Sequence, residues 1–353
     1  MDAKAKQFFF DLLESPGVSG YEERVQQTVR EYVSGFADSV TTDLHGNLIV
    51  VHNPDASVRL MLAGHADQIG LLVSYIDDHG FVYTQTVGGW DPQQLVGQRV
   101  TIWGRRGPID GVISRKPIHL LDEGERKQVV KPRDLWIDIG ADNKTETEDH
   151  VQVGDPVTLA LGCRELLNHR ICGPGMDDRC GVWVVIEALR RATQMGGISC
   201  GLFAVSTVQE EIGLRGAKTA AYGIDPQLGI AVDVTHATDC PTIDSRQRGE
   251  IALGDGPVIV RGPNINRRLA DRLATLADQS DIPVQTAALA RAAPNDSNPL
   301  QVTRSGVATG LLAIPNRYMH SAVETVSLND LDWAAALLAR LAATIESADE
   351  FIP

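Results

Sequence analysis

The sequence predicts an α/β protein: a mixed, mostly parallel sheet flanked by helices, with a β-rich module inserted into it. Three observations carry this expectation. Residues 201–208, 228–234 and 309–314 are near-continuous apolar runs, the pattern of strands buried on both faces. Residues 177–193 have a helical period, with Val182, Val185, Ile186 and Leu189 on one face. Between residues 70 and 163 that period gives way to short β-rich runs separated by turns.

Taken in order, residues 3–14 read as a short helix closed by Ser15-Pro16-Gly17. Ser19 and Glu22 have the spacing of a capping box, which starts a second helix running to Phe36. Strands follow at 46–52 and 58–64. Inside the inserted module the strands are 71–76, 81–87, 99–103 and 135–139. Turns fall at Asp78-His79-Gly80, at Gly88-Gly89 and at 104–108, and helical pattern occurs only near 123–128 and 146–150. After Arg170 helix and strand alternate again, and 329–347 is an amphipathic helix rich in Ala and Leu. The expected division is a discontinuous α/β domain of residues 1–69 and 165–353 around a β-barrel-like domain of 70–164. The chain has 353 residues. That exceeds the roughly 250–300 at which one core stops growing.

Composition narrows the class. The net charge of -14 argues against nucleic acid or an anionic membrane as the main partner, since both attract positive charge. Five cysteines with no CxxC spacing fit a reducing compartment better than a disulfide framework. Lys4, Lys6 and Phe8-Phe9-Phe10 mimic a signal peptide, but Asp11 and Glu14 interrupt the apolar run. No stretch approaches the roughly 20 apolar residues of a membrane span. The expectation is a cytoplasmic protein.

Metal-binding residue types cluster where the predicted strands end. Residues 58–64 lead to His65, with Asp67 two positions on; 201–208 lead to Glu210-Glu211; 228–232 to Asp233; and 309–314 to His320. Asp177-Asp178 opens a helix after Gly173-Pro174-Gly175. Singly, each has an ordinary explanation: a solvated edge, a cap, a turn or a hydrogen-bonded histidine. Together they fall at the carboxyl ends of strands, where sites form in open parallel sheets. Two histidines with several carboxylates suit zinc, cobalt or manganese better than calcium, which takes oxygen alone. A dinuclear centre needs a bridging carboxylate for metals about 3.5–4 Å apart. It also needs one carboxylate off the metals as general base. Glu210 and Glu211 suit that split, because neighbours in extended backbone point to opposite sides.

The words around these residues resemble a known family. Ala63-Gly64-His65-Ala66-Asp67-Gln68-Ile69-Gly70, Gly88-Gly89-Trp90-Asp91-Pro92, Trp136-Ile137-Asp138-Ile139-Gly140-Ala141, Met176-Asp177-Asp178-Arg179, Thr207-Val208-Gln209-Glu210-Glu211-Ile212-Gly213-Leu214-Arg215-Gly216-Ala217 and Arg317-Tyr318-Met319-His320-Ser321 occur in that order. This is similar to the tetrahedral aminopeptidases of metallopeptidase family forty-two, the glutamyl and deblocking group. The resemblance implies a phosphorylase/hydrolase-like zinc peptidase domain carrying two divalent metal ions (zinc, cobalt or manganese). Asp177 would bridge them, His65 and Asp233 would complete one site, and Glu211 and His320 the other. Glu210 would be the general base and Asp67 the residue that orients His65. The resemblance also implies peptide substrates, dimerisation through the inserted module and a hollow tetrahedral homododecamer. Ala66, Gln68, the Pro294-Asn295-Asp296-Ser297 segment and residues 244–249 depart from the usual family pattern.

The same centre could serve an amidohydrolase of N-acylated amino acids. A structural shell without activity is the non-enzyme reading, against which the complete ligand set stands. Arg246, Arg248 and Arg291 could pair with an acidic substrate side chain. Their ordinary reading is surface arginine.

Overall fold

The computed structural model describes residues 1–353. Helices Ala3–Glu14 and Glu23–Val33 open the chain, followed by strands β1 (Ser39–Thr42), β2 (Leu48–His52) and β3 (Arg59–His65). Next come β4 (Gly70–Ile76), β5 (Val82–Val87), β6 (Arg99–Gly104), β7 (Gly107–Ser114), β8 (Trp136–Asp138) and β9 (Pro156–Leu159). β10 (Arg164–Glu165) and β11 (Arg170–Cys172) lead into the helix Met176–Met195. The remaining strands are β12 (Gly201–Thr207), β13 (Leu228–His236), β14 (Val258–Arg261), β15 (Gln285–Ala288), β16 (Ala308–Asn316) and β17 (Thr325–Ser327). The long helix Leu328–Thr344 follows them.

Eight strands form one mixed sheet in the order β1-β2-β12-β3-β13-β16-β14-β15. β12, β3, β13 and β16 are mutually parallel at its centre. β2 and β14 flank them antiparallel. The central four include the apolar runs, and the reason is two-sided burial. Leu60 and Leu62 of β3 join the core beneath Trp183, Val184 and Leu189. Met61 and Ala63 point the other way, into a second core with Ala220, Ala221 and Leu300. The pleat thus gives one strand two apolar faces.

Helix Met176–Met195 lies tight against β3. A Cβ on Gly64 would come within 2.3 Å of the Gly181 backbone, so only glycine permits this approach. That contact brings the helix start to the end of β3.

Strands β4 to β9 close into an antiparallel barrel, β4-β5-β8-β7-β6-β9. It has its own core of Leu71, Val73, Val82, Ile102, Ile137 and Val157 among others. The expected β-barrel-like insertion is therefore present as a closed barrel between β3 and β10. No helix is long and apolar enough to cross a membrane.

The expected turn at 104–108 is the tight link between β6 and β7, with Gly104 opposite Gly107. Other local expectations change. β14, β15 and the helix Arg267–Gln279 add to the elements read from sequence. The second helix ends at Val33, and no capping box forms at its start. Ser19 instead donates its hydroxyl to Asp67 at 2.6 Å. Glu22 accepts the N–H groups of Gly20 and Gln209. Both side chains support the site described next.

Candidate metal centre

The structure brings together the residues that the sequence reading named as ligands, base and orienting group: His65, Asp67, Asp177, Glu210, Glu211, Asp233 and His320. His65 ends β3, Glu210 and Glu211 follow β12, and Asp177 opens helix Met176–Met195. Asp233 lies inside β13 rather than at its end, and His320 sits in the loop between β16 and β17. The Asp177–Asp178 peptide bond is cis. Asp177 lies between the two histidines. Its Oδ1 is 3.1 Å from His65 Nε2 and its Oδ2 is 3.3 Å from His320 Nε2. Asp233 lies 4.0 Å from His65 Nε2. Glu211 lies 3.5 Å from His320 Nε2. Glu210 stands 3.9 Å from His65 Nε2.

Neighbouring groups aim these side chains. His65 Nδ1 faces Asp67, 3.1 Å from its carbonyl and 3.4 Å from its carboxylate. That leaves Nε2 toward the cluster. The buried Asp67 carboxylate also accepts the N–H groups of Glu210 and Glu211, at 2.9 and 3.1 Å. It therefore fixes a histidine and the two-glutamate turn at once. His320 Nδ1 donates to the carbonyl of Gly89 at 2.7 Å, a contact made by the loop after β5 of the barrel. Asp178 accepts the N–H groups of His65 and Gly181, so its oxygens are occupied by main chain.

Three of these supports were not assigned from sequence. Asp178 adjoins Asp177, yet its role depends on where the helix meets β3. Asp296 is buried, and one of its oxygens takes the Thr207 hydroxyl at 2.6 Å. Glu324 accepts the N–H groups of Asp177 and His320. Spacing alone carries no signal for any of them.

The donor set fits divalent cations. Asp177, Glu211 and His320 present one atom each within 4.8 Å of one another, and His65 faces Asp177 at 3.1 Å and Asp233 at 4.0 Å. Ligands about 2.0–2.2 Å from a tetrahedral zinc lie roughly 3.3 Å apart, which is the scale of these separations. Glu211 Oε1 is buried and takes no hydrogen bond. The electrostatics agree. Burial, then Asp177, pushes Asp233 up to about 8, with His65 opposing. Burial pushes Glu210 up to about 10, with Asp233, Asp296 and Glu211 adding to it against His65. The neighbouring Asp177 and Glu211 carboxylates lift His320 to about 11. Crowded buried carboxylates that favour protonation are a site short of positive charge, and bound cations reverse that preference.

The profile of the M42 glutamyl aminopeptidase family matches residues 46–337. The chain belongs to that family. It is a metal-dependent aminopeptidase. It is 37% identical to the lysyl aminopeptidase of Pyrococcus furiosus, over 91% of this chain and 92% of the relative. Its fold matches the TET aminopeptidase of Thaumarchaeota archaeon SCGC AB-539-E09 with a TM-score of 0.94 at 33% identity, covering 99% of both chains. The TET1 peptidase of Pyrococcus horikoshii, which can assemble into a tetrahedron or a large octahedral shell, matches with a TM-score of 0.86 at 33% identity, covering 97% of this chain and 100% of that one.

In this M42 chain the histidine–carboxylate cluster opens into a cavity of about 470 Å³. Ile251, Val260, Leu289, Leu311 and Met319 are among its apolar lining residues. His236 and Arg248 supply the polar contrast. Of the three arginines considered from sequence, only Arg248 lines the cavity. Arg246 is held by Asp244 in a bidentate pair at 3.0 Å.

Proposed function

We propose that the centre holds two divalent ions, zinc, cobalt or manganese, and that the enzyme releases single residues from the free N-terminus of peptides. The observation that carries this reading is Asp177, whose two oxygens face different histidines at 3.1 and 3.3 Å. A carboxylate so placed suits a bridge, with His65 and Asp233 on one side and Glu211 and His320 on the other. When bound, the metals supply the positive charge that acidifies a water and polarises the scissile carbonyl.

The remaining chemistry belongs to the protein. Glu210 points into the cavity beside the cluster and acts as general base. It takes the proton of the attacking water and returns it to the leaving amine. Its main-chain N–H is fixed by Asp67, so the carboxylate is placed before substrate arrives. The crowd of carboxylates favours a substrate ammonium and thereby exopeptidase action. The cavity beside it receives the first side chain.

The division into a catalytic domain of 1–69 and 165–353 and a barrel domain of 70–164 belongs to the same reading. The barrel would carry dimerisation, and dimers would assemble into a dodecameric shell of the kind the TET relatives form. A cytoplasmic location fits the free cysteines.

Glu210→Gln tests the assignment of the base. It should retain metal and lower kcat by about 10²–10⁴-fold, the usual contribution of a general base. Near-native turnover in a metal-loaded Glu210→Gln enzyme would remove Glu210 from that role.

A further inference from the structure

We propose that Glu324 is a positioning residue of the metal centre, holding His320 and Asp177 in the arrangement in which they ligate. This rests on the dinuclear reading above. Glu324 is 2% exposed. Burying a carboxylate is costly unless both oxygens are well satisfied. Here both are, by main-chain donors rather than by lysine or arginine. Oε1 accepts the N–H of His320 at 2.7 Å and Oε2 accepts the N–H of Asp177 at 3.2 Å. One side chain therefore ties together the start of helix Met176–Met195 and the loop between β16 and β17.

The backbone shows why such a tie is needed. His320 has a φ of 60°, in the left-handed region that non-glycine residues rarely occupy. Gln209, next to Glu210, has a φ of 56°. Each of these residues gives its N–H to a buried carboxylate, Glu22 for Gln209 and Glu324 for His320. Conformations of this kind are costly and persist where the surroundings over-determine them. At both places the surroundings include a buried acid that accepts the strained N–H.

Closing the loop does not require Glu324. Arg317 and Thr325 already exchange both main-chain hydrogen bonds at 3.0 Å, which shuts its neck. The Ser321 hydroxyl ties to Tyr318 and Val323 within the tip. What Glu324 adds is the placement of the His320 main chain relative to Asp177. His320 Nδ1 is separately fixed by Gly89, so the ring is oriented from one end and the backbone from the other.

The test is cobalt binding to the full-length protein with Glu324→Gln. An amide offers only one acceptor oxygen, and its NH2 would face one of the two N–H donors. Competitive chelator titration and the visible absorption of bound Co²⁺ would be followed, with peptidase kinetics alongside. Outer partners of metal ligands contribute about 10–100-fold to affinity. The variant should bind Co²⁺ on the order of 10–100-fold more weakly, most of all at the site that His320 completes, with an altered spectrum. Its kcat should recover in excess Co²⁺ with KM unchanged. Parental affinities and an unaltered spectrum would overturn the assignment, as would a lowered thermal midpoint with no change in metal binding. Glu324→Asp, which keeps the charge on a shorter arm, should fall between the two and carries the same test should Glu324→Gln not fold. A parental stoichiometry of one would overturn the dinuclear reading alone, and Glu324 would then stand or fall on whether that single affinity drops.

Discussion

The sheet and the barrel both reach the metal centre, and they do so by different means. The sheet delivers titratable side chains: His65 from β3, Asp233 from β13 and the glutamate pair after β12. The barrel delivers one main-chain atom, the Gly89 carbonyl that receives His320 Nδ1. Chemistry is concentrated in the first region, and alignment of the chemistry is shared with the second. A module expected to serve assembly thus also touches a proposed ligand. Anything that shifts the barrel relative to the sheet would be felt at His320.

Four changes would break or sharpen this contrast. The largest effect should come from the sheet side. Asp177→Asn removes a charge that both halves of the centre share. Metal ions supply several kcal/mol to such reactions, so activity should fall by about 10³-fold or more. Metal analysis should show both sites weakened, whereas loss of only one would mean that Asp177 does not bridge.

Next in size is the effect of metal on stability against pH. In the metal-free protein Asp233 and Glu210 have carboxyl pKa values raised to about 8 and about 10. A raised acid stabilises the fold fully below its unfolded value of about 4, and that stability is lost as pH rises through the folded value. His320, lifted to about 11, changes in the same direction. The thermal midpoint of chelated protein should therefore fall steadily from about pH 5 to about pH 9, while the metal-loaded protein stays nearly level. A chelated protein whose midpoint rises over that range would contradict the charge balance described for the cluster.

A smaller change should follow from the barrel side. A Cβ on Gly89 would sit 3.3 Å from His320 Nδ1, so Gly89→Ala crowds that ring while every proposed ligand keeps its identity. Metal affinity should drop by up to about tenfold, at the low end for a partner of a ligand. Unchanged affinity would confine the barrel to assembly.

The smallest effect should belong to Arg248, which is exposed at the cavity wall. Arg248→Ala should lower kcat/KM for N-terminal Glu or Asp by about tenfold or less, in line with a solvent-screened ion pair. Leu substrates should be unaffected. An equal loss on both would reassign Arg248 to general packing.

Much of the centre was legible because its residue types are unusual at strand ends. His65, Asp177, Glu210, Glu211 and His320 gather where the alternating α/β pattern places a crevice, and Asp233 lies one turn of the pleat inside it. The supports were not legible. Glu324 is separated from His320 by the spacing of any surface pair, and only tertiary burial turns it into a clamp. Gly89 acts through a carbonyl that every residue possesses. Ser19 and Glu22 show the converse. Their spacing matches a capping box, but hydroxyls and carboxylates that can cap a helix can equally hold Asp67 and Gln209. The local pattern was satisfied by a distant partner.

The most direct test of the central claim is hydrolysis of a chromogenic panel after complete chelation and stepwise return of Zn²⁺, Co²⁺ or Mn²⁺. The panel would hold Glu, Asp, Leu and Lys substrates with free amines, beside their N-acetylated counterparts. The account predicts that activity is absent after chelation, returns as metal approaches two equivalents per chain and is confined to free amines. Cleavage of the acetylated substrates, or full activity with the chelator present, would contradict it.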